Sequence, residues 1–242
     1  VQDCSQLAAV AALALRADAP MFLVGGGSNL LVSDAGLDAL VVETWANVDA
    51  LAAHPPVAVN DGEVRVHAFA GVPLPRLAHQ TARAGLTGLE WASGIPGTVG
   101  GGMVNNAGAH GGCMADCVAE ALVLLDGREE RLPVEDLGFS YRHSHLRGAW
   151  AEQGRSAVVL AAELRLRPAD PADCERKVQE GLKGARSGDA EISTVHANFI
   201  VNRGQATASD VNALVLLAQQ RVFEQFGVRL ELEIERVGVH DA

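Results

Sequence analysis

Two glycine clusters and one arginine are the residues of this chain best suited to chemistry. The first cluster, Gly25-Gly-Gly-Ser-Asn29, follows the apolar run Met21–Val24. The second runs Gly94-Ile-Pro-Gly-Thr-Val-Gly-Gly-Gly102 and is closed by Asn105-Asn-Ala-Gly-Ala-His-Gly-Gly112. Glycine lets backbone N–H groups come within hydrogen-bonding distance of a ligand. A run of such donors makes a concavity suited to phosphate or to the edge of a flat polar ring. Two such loops point to an extended, phosphate-bearing cofactor held in two places. Arg142 stands in Phe139-Ser-Tyr-Arg-His-Ser144, beside Tyr141, the single tyrosine. Its guanidinium is a planar, permanently charged fork for a carboxylate or phosphate. From that motif alone a surface arginine is the default.

The first loop half matches a dinucleotide fingerprint, with Gly25-x-Gly27 after a strand-like run and Glu43 where a ribose-binding acid belongs. Leu30, however, takes the place of the third glycine, and Ser33-Asp-Ala-Gly36 interrupts the segment before a helix can form. Strand–loop–strand is the better fit, and a Rossmann NAD enzyme is the weaker reading. The second cluster is no P-loop, since no Gly-Lys-Ser/Thr follows. Nor is it a polar linker, because Ile95, Val99, Met103 and Val104 interleave its glycines. Cys113 and Cys117 resemble half a metal site without a second ligand pair, and His143/His145 lack the i, i+4 helical spacing. No metal is expected, and the four cysteines read as reduced thiols of a cytoplasmic protein.

Several elements must position these residues. A helix capped by Ser5 is expected to Arg16, then short strands at Met21–Val24, Asn29–Val32 and Ala39–Val42. Val57–Asn60 and Val64–Ala70 flank the hairpin signal Asn60-Asp-Gly62, and Ala119–Leu125 and Arg128–Leu132 flank Asp126-Gly127. Pro73 suits the first turn of a helix to Ala84. Val158–Leu166 is a long strand, and Pro168-Ala-Asp-Pro171 marks the expected domain boundary. Beyond it come a strand at Asn198–Val201, a helix opened by Thr207 and Asp210 and stopped by Gly227, and an alternating strand at Val228–Glu235. Residues 1–168 would then form one domain, with a subdivision near 45–55, and residues 169–242 a second.

Composition narrows the partners. The net charge is −11 without a basic cluster, which excludes a nucleic-acid partner. An anionic ligand must therefore be held by local donors against the overall field. No apolar run approaches the roughly 20 residues of a membrane span.

The order of the motifs resembles the UDP-N-acetylenolpyruvoylglucosamine reductase family. The likeness rests on Gly25–Asp34, Gly94–Gly102 with Asn106–Ala109, Phe139–Ser144, Gly181-Leu-Lys-Gly184, His196-Ala-Asn-Phe-Ile-Val-Asn202 and Leu230-Glu-Leu-Glu-Ile234. It covers nearly the whole chain, and Tyr-Arg-His-Ser without an inserted tyrosine-bearing loop matches the shorter subtype. The resemblance implies an α+β, FAD-binding fold of the vanillyl-alcohol-oxidase / p-cresol methylhydroxylase type with a C-terminal α+β substrate domain. It implies non-covalent FAD, reduction by NADPH, and hydride delivery to the enolpyruvyl group of a UDP-sugar in peptidoglycan precursor synthesis, by a cytoplasmic monomer. The residues expected at the cofactor are Gly25, Gly26, Gly27, Ser28, Asn29, Gly94, Ile95, Pro96, Gly97, Thr98, Gly100, Asn106, Gly108 and Ala109. Arg142 is expected to stabilise charge on the substrate carboxylate, with Tyr141 beside it. Glu233, by itself a solvent-facing strand residue, joins Arg142 through the resemblance alone.

Two departures stand out. The family's N-terminal segment before the first helix has no counterpart, and a stretch preceding Val1 is expected. The family's Gly-Ser-x-Phe-Lys-Asn-Pro motif, bearing the serine proton donor, is missing between Pro171 and Gly181. We expect that serine-bearing loop to belong to the protein outside these 242 residues. The alternatives are another FAD oxidoreductase on the same scaffold and a catalytically impaired FAD-binding homologue.

Overall fold

Asp3 opens the first helix, α1 (Cys4–Arg16), its carboxylate accepting the Gln6 N–H at 2.8 Å. Ser5 was the expected cap; an aspartate two residues earlier already satisfies one of the orphan amides of the first turn. The computed structural model describes residues 1–59, 62–109, 111–147, 156–181 and 235–237. The chain divides into two compact units. The first holds Val1–Ser28 and Ala39–Lys183, and the second Asn29–Asp38 and Gly184–Ala242.

Within the first unit, strands β1 (Met21–Val24) and β3 (Leu40–Glu43) pair in parallel. Strand β2 (Leu30–Val32) lies between them in sequence but belongs to the second unit. There it pairs in parallel with β12 (Glu235–Val237), and Ser33 donates its N–H to Val237 O at 2.9 Å. The turn Ser33–Gly36 therefore does not make a hairpin of β2 and β3. The alternating strand expected over 228–235 meets the described residues only at Glu235, and the strand and helix expected over 198–227 lie outside them.

The main sheet of the first unit is antiparallel, ordered β10-β9-β11-β5-β4. Its members are β4 (Val57–Ala58), β5 (Val64–Phe69), β9 (Val118–Leu125), β10 (Arg128–Pro133) and β11 (Ala157–Pro168). The short β6 (Leu86–Thr87) pairs with the end of β11. Asp126 and Gly127 take φ of 51° and 79°, the left-handed pair that a two-residue hairpin between right-twisted strands requires. Edge strand β10 carries Arg128, Glu129, Glu130 and Arg131 in exposed positions, which discourages edge-to-edge pairing. Central β11 places Val158–Ala162, Leu164 and Leu166 in the core. Helix α2 (Ala50–Ala53) is capped by Asp49.

Helix α3 (Leu74–Arg83), entered through Pro73, buries Leu74, Leu77, Ala78 and Ala82. With Val66, Leu160, Leu164 and Met103, the side chains of Leu74, Leu77 and Ala78 make one core, while Ala82 packs with Cys174; each large member contributes about 1.5–3 kcal/mol by leaving water. The second glycine cluster, expected as an irregular loop, instead contains a helix, α4 (Val99–Val104), capped by the Thr98 side chain. Glycine is a poor helix former; here Val99, Gly102 and Met103 are buried, so tertiary packing holds the turn. β7 (Gly108–Ala109) and β8 (Gly112–Cys113) pair after it, followed by α5 (Met114–Cys117). The proline-bearing break at Pro168–Pro171 opens α6 (Pro171–Gly181), a helix of the first unit. Lys177 reaches Glu90 at 3.9 Å and Glu175 reaches Arg83 at 3.7 Å, so this unit runs past Pro168 to Lys183.

Candidate functional site

The two glycine clusters meet. A Cβ built on Gly25 would lie 2.4 Å from Thr98 Oγ1, and one on Gly26 would lie 3.2 Å from Gly97 Cα. Only bare backbone allows that approach. The Ser28 hydroxyl donates to Pro96 O at 3.1 Å and ties the loops together from the other side. Gly97 holds φ +122°, open in practice only to glycine.

The backbone donors divide into spent and unspent. Gly100 N–H goes to Ala70 O at 2.8 Å, Val99 N–H to Val72 O at 2.9 Å and Ile95 N–H to Ala92 O at 3.2 Å. Gly100 would also drive a Cβ to 2.9 Å from that of Ala70, so it serves close packing, not amide donation. Gly94 ends the 3₁₀ turn Glu90–Gly94. By contrast, among the described residues no protein acceptor takes the N–H of Gly25, Gly26, Gly27, Ser28, Gly97 or Thr98. A lip of unspent amides closed by two glycine loops fits the diphosphate of a dinucleotide. With a net charge of −11, an anion at this lip would depend on such local donors. Asn29, expected in the same loop, begins the second unit.

At the other end of α4 most of the polar side-chain groups are paired, while Asn105 Oδ1 is buried with no hydrogen-bond partner among the described residues. Asn106 is buried, with φ +42°, a left-handed conformation that asparagine tolerates. Its Nδ2 donates to Ser140 O at 2.9 Å, and its Oδ1 accepts Ala115 N–H at 3.1 Å. The fully buried Ser144 donates its hydroxyl to Val104 O at 2.7 Å. The Asn106 side chain thus clasps the Ser140 turn to the start of α5. Gly108 and Ala109 pair with Cys113 and Gly112.

The clasp holds Arg142 in place. Ser140 and His143 exchange backbone hydrogen bonds at 3.0 and 3.2 Å, leaving Tyr141 and Arg142 as a two-residue tip. Arg142 takes φ +52°, uncommon for a bulky side chain. Its guanidinium carbon lies 5.7 Å from the centre of the 83% exposed Tyr141 ring. A further bond, Arg147 Nη1 to Arg142 O at 3.3 Å, secures the turn. These bonds fix the backbone of the turn that carries Arg142. Glu233 lies outside the described residues.

The thiols beside this region are quiet. Burial pushes Cys117 up to about 12, and burial with the Asp116 carboxylate raises Cys113. Neither is a ready thiolate ligand, and the described residues hold no group of three that would bind a metal. Trp45, absent from the sequence-based site, lies within reach of the cradle: its Cζ3 is 3.2 Å from the Cβ position of Gly26. One aromatic beyond a strand carries no such signal by itself.

Comparisons with known proteins agree with this geometry. Residues 1–132 match a family model described as an FAD binding domain, and residues 178–237 match the C-terminal domain of UDP-N-acetylenolpyruvoylglucosamine reductase. The chain is 42% identical to UDP-N-acetylenolpyruvoylglucosamine reductase 2 of Symbiobacterium thermophilum, over 97% of this chain and 83% of that protein. It is 40% identical to the reductase of Chloroflexus aggregans, over 93% and 85%. The crystal structure of the Thermus caldophilus reductase superposes with a TM-score of 0.72 at 33% identity, covering 98% of this chain and 91% of the other. The expected α+β FAD-binding fold is thereby shown. The Symbiobacterium alignment spans 271 residues against the 242 of this chain, so that relative carries segments without a counterpart here.

Proposed function

This chain belongs to the UDP-N-acetylenolpyruvoylglucosamine reductase family, and from that premise we propose how its residues divide the work. The protein is a flavoenzyme that uses FAD and NADPH to reduce the enolpyruvyl group of a UDP-sugar, a step of peptidoglycan precursor synthesis. Its four cysteines are free, which supports a reducing, cytoplasmic setting. Among the described residues no helix is long and apolar enough to cross a membrane.

The observation that carries the residue assignment is the set of unspent amides where Gly25–Ser28 meets Gly97–Thr98. These donors hold the cofactor diphosphate, while Gly94, Ile95, Pro96 and Gly100 shape the loop. Gly108 and Ala109 stand near the flavin ring. Bound FAD supplies the hydride chemistry; the chain's own residues bind, orient and stabilise charge. Reduction of the enol ether builds negative charge on the substrate carboxylate. A fixed cation favours that arrangement over the ground state. Arg142 is the residue we assign to it, with Tyr141 at the substrate and Glu233 as the arginine's partner. Glu233 must be hydrogen-bonded or protonated to serve, because a bare carboxylate would repel the developing charge. The closing proton belongs, by the resemblance, to a serine that these 242 residues do not contain. The C-terminal region from residue 169 is where we place most of the substrate contacts.

Flavin-loaded protein should sustain NADPH oxidation beyond one equivalent per flavin only when the enolpyruvyl UDP-sugar is supplied. Arg142→Ala should lower turnover by about 10²–10³-fold, the loss typical of removing one preorganised charge-stabilising group, and keep its bound flavin. Wild-type turnover in that variant would overturn the assignment.

A further inference from the structure

The two described tryptophans contrast in burial. Trp91 is buried, whereas Trp45 leaves 42% of its surface exposed on the rim of the amide cradle. An exposed indole has a large π-face to offer a ligand, and the backbone around Trp45 is firmly held. Thr44 N–H donates to Val24 O at 2.7 Å, the residue just before the first glycine cluster. Its hydroxyl donates to the same carbonyl at 3.2 Å. On the other side, Ala46 is fully buried and donates its N–H to Gly71 O at 2.9 Å. The backbone on either side of Trp45 is thus pinned beside the first cradle loop, and its indole reaches both loops. A side chain at Gly26 would strike both Trp45 and Gly97.

The position along α4 decides which end of a dinucleotide it meets. Trp45 lies at the Gly97–Thr98 end, whereas the Arg142 turn is clasped at Val104 and Asn106. Six helical residues separate these ends by about 9 Å. If the reacting ring lies towards Arg142, the diphosphate spans the cradle and the non-reacting base falls at the opposite end. We propose that Trp45 is the stacking platform for the adenine of the dinucleotide cofactor. The proposal rests on the FAD reading and on the placement of Arg142.

The test uses the full chain stripped of cofactor and titrated with FAD, FMN and ADP. Flavin emission follows the first two ligands and indole emission follows ADP. Trp45→Ala should weaken FAD by about 10–100-fold, the range of one lost base–aromatic stack, and leave FMN, which has no adenine, unchanged. ADP should quench indole emission in the wild type, and the quench should vanish in Trp45→Phe, a variant that keeps a ring and the local packing. Undiminished FAD affinity in Trp45→Ala, an equal loss for FMN, or an ADP quench that persists in Trp45→Phe would each overturn the platform. A wild-type chain without affinity for FAD sinks the cofactor reading itself, and the proposal with it.

Discussion

The two ends of helix α4 are built on opposite principles. At its start, Gly25–Ser28 and Gly97–Thr98 bring backbone together and leave the amides unspent among the described residues. At its finish, Asn106 donates to Ser140 O and accepts from Ala115 N–H, and Ser144 donates to Val104 O. The first end presents open donors. The second ties the turn that carries Arg142 to the end of the helix. A binding surface keeps its donors open, whereas a positioning surface closes them, because a buried donor without a partner costs about 1–3 kcal/mol.

Three changes would break or sharpen this contrast. The largest effect belongs to Gly25→Val. Its Cβ would fall 2.4 Å from Thr98 Oγ1, so the loops must part and the amides lose their common focus. The purified variant should be colourless, with FAD affinity reduced by roughly 100-fold or more, equivalent to about 3 kcal/mol. A yellow variant with ordinary FAD affinity would mean that the close approach is incidental. Next comes Asn106→Gly, which keeps the positive φ and removes only the two clasp hydrogen bonds. About 2 kcal/mol of stability should go, visible in urea unfolding, together with turnover through a loosened Arg142. FAD affinity should hold. Loss of FAD with unchanged stability would reverse the assignment of this end.

The smallest effect concerns a contact away from both ends. Burial works against the Glu90 carboxylate. The Thr87 hydroxyl at 2.5 Å, the Gly88 N–H at 2.7 Å and nearby Lys177 nonetheless hold it below its ordinary range. A carboxylate lowered by folding contributes stability above its unfolded pKa and loses it as pH falls through the folded value. Glu90→Gln should therefore cost about 1 kcal/mol at neutral pH and flatten the decline in stability on the acid side of pH 4.5. Unchanged acid sensitivity in the melting curve would show that this contact between α6 and the 3₁₀ turn is idle.

Local signals were legible wherever they are backbone chemistry. Asp126-Gly127 specified its hairpin, Pro73 the entry to α3, and the glycine clusters two stretches where backbone comes close to its neighbours. Signals failed where packing overrides propensity. Val99–Val104 contains three glycines and is helical because Val99 and Met103 are fully buried. The pairing of β2 with β12 joins residues about 200 positions apart in sequence, which no window of periodicity can see.

The chain's residues alone determined the family, the flavin chemistry and the motifs that carry them, since those depend on residue type and order. Only the tertiary structure decided which amides remain open, that the Asn106 side chain clasps the Ser140 turn, and that Trp45 stands at the cradle. The reason is physical: whether a polar group is available is a property of its neighbours, and those neighbours are brought together by packing across long stretches of chain.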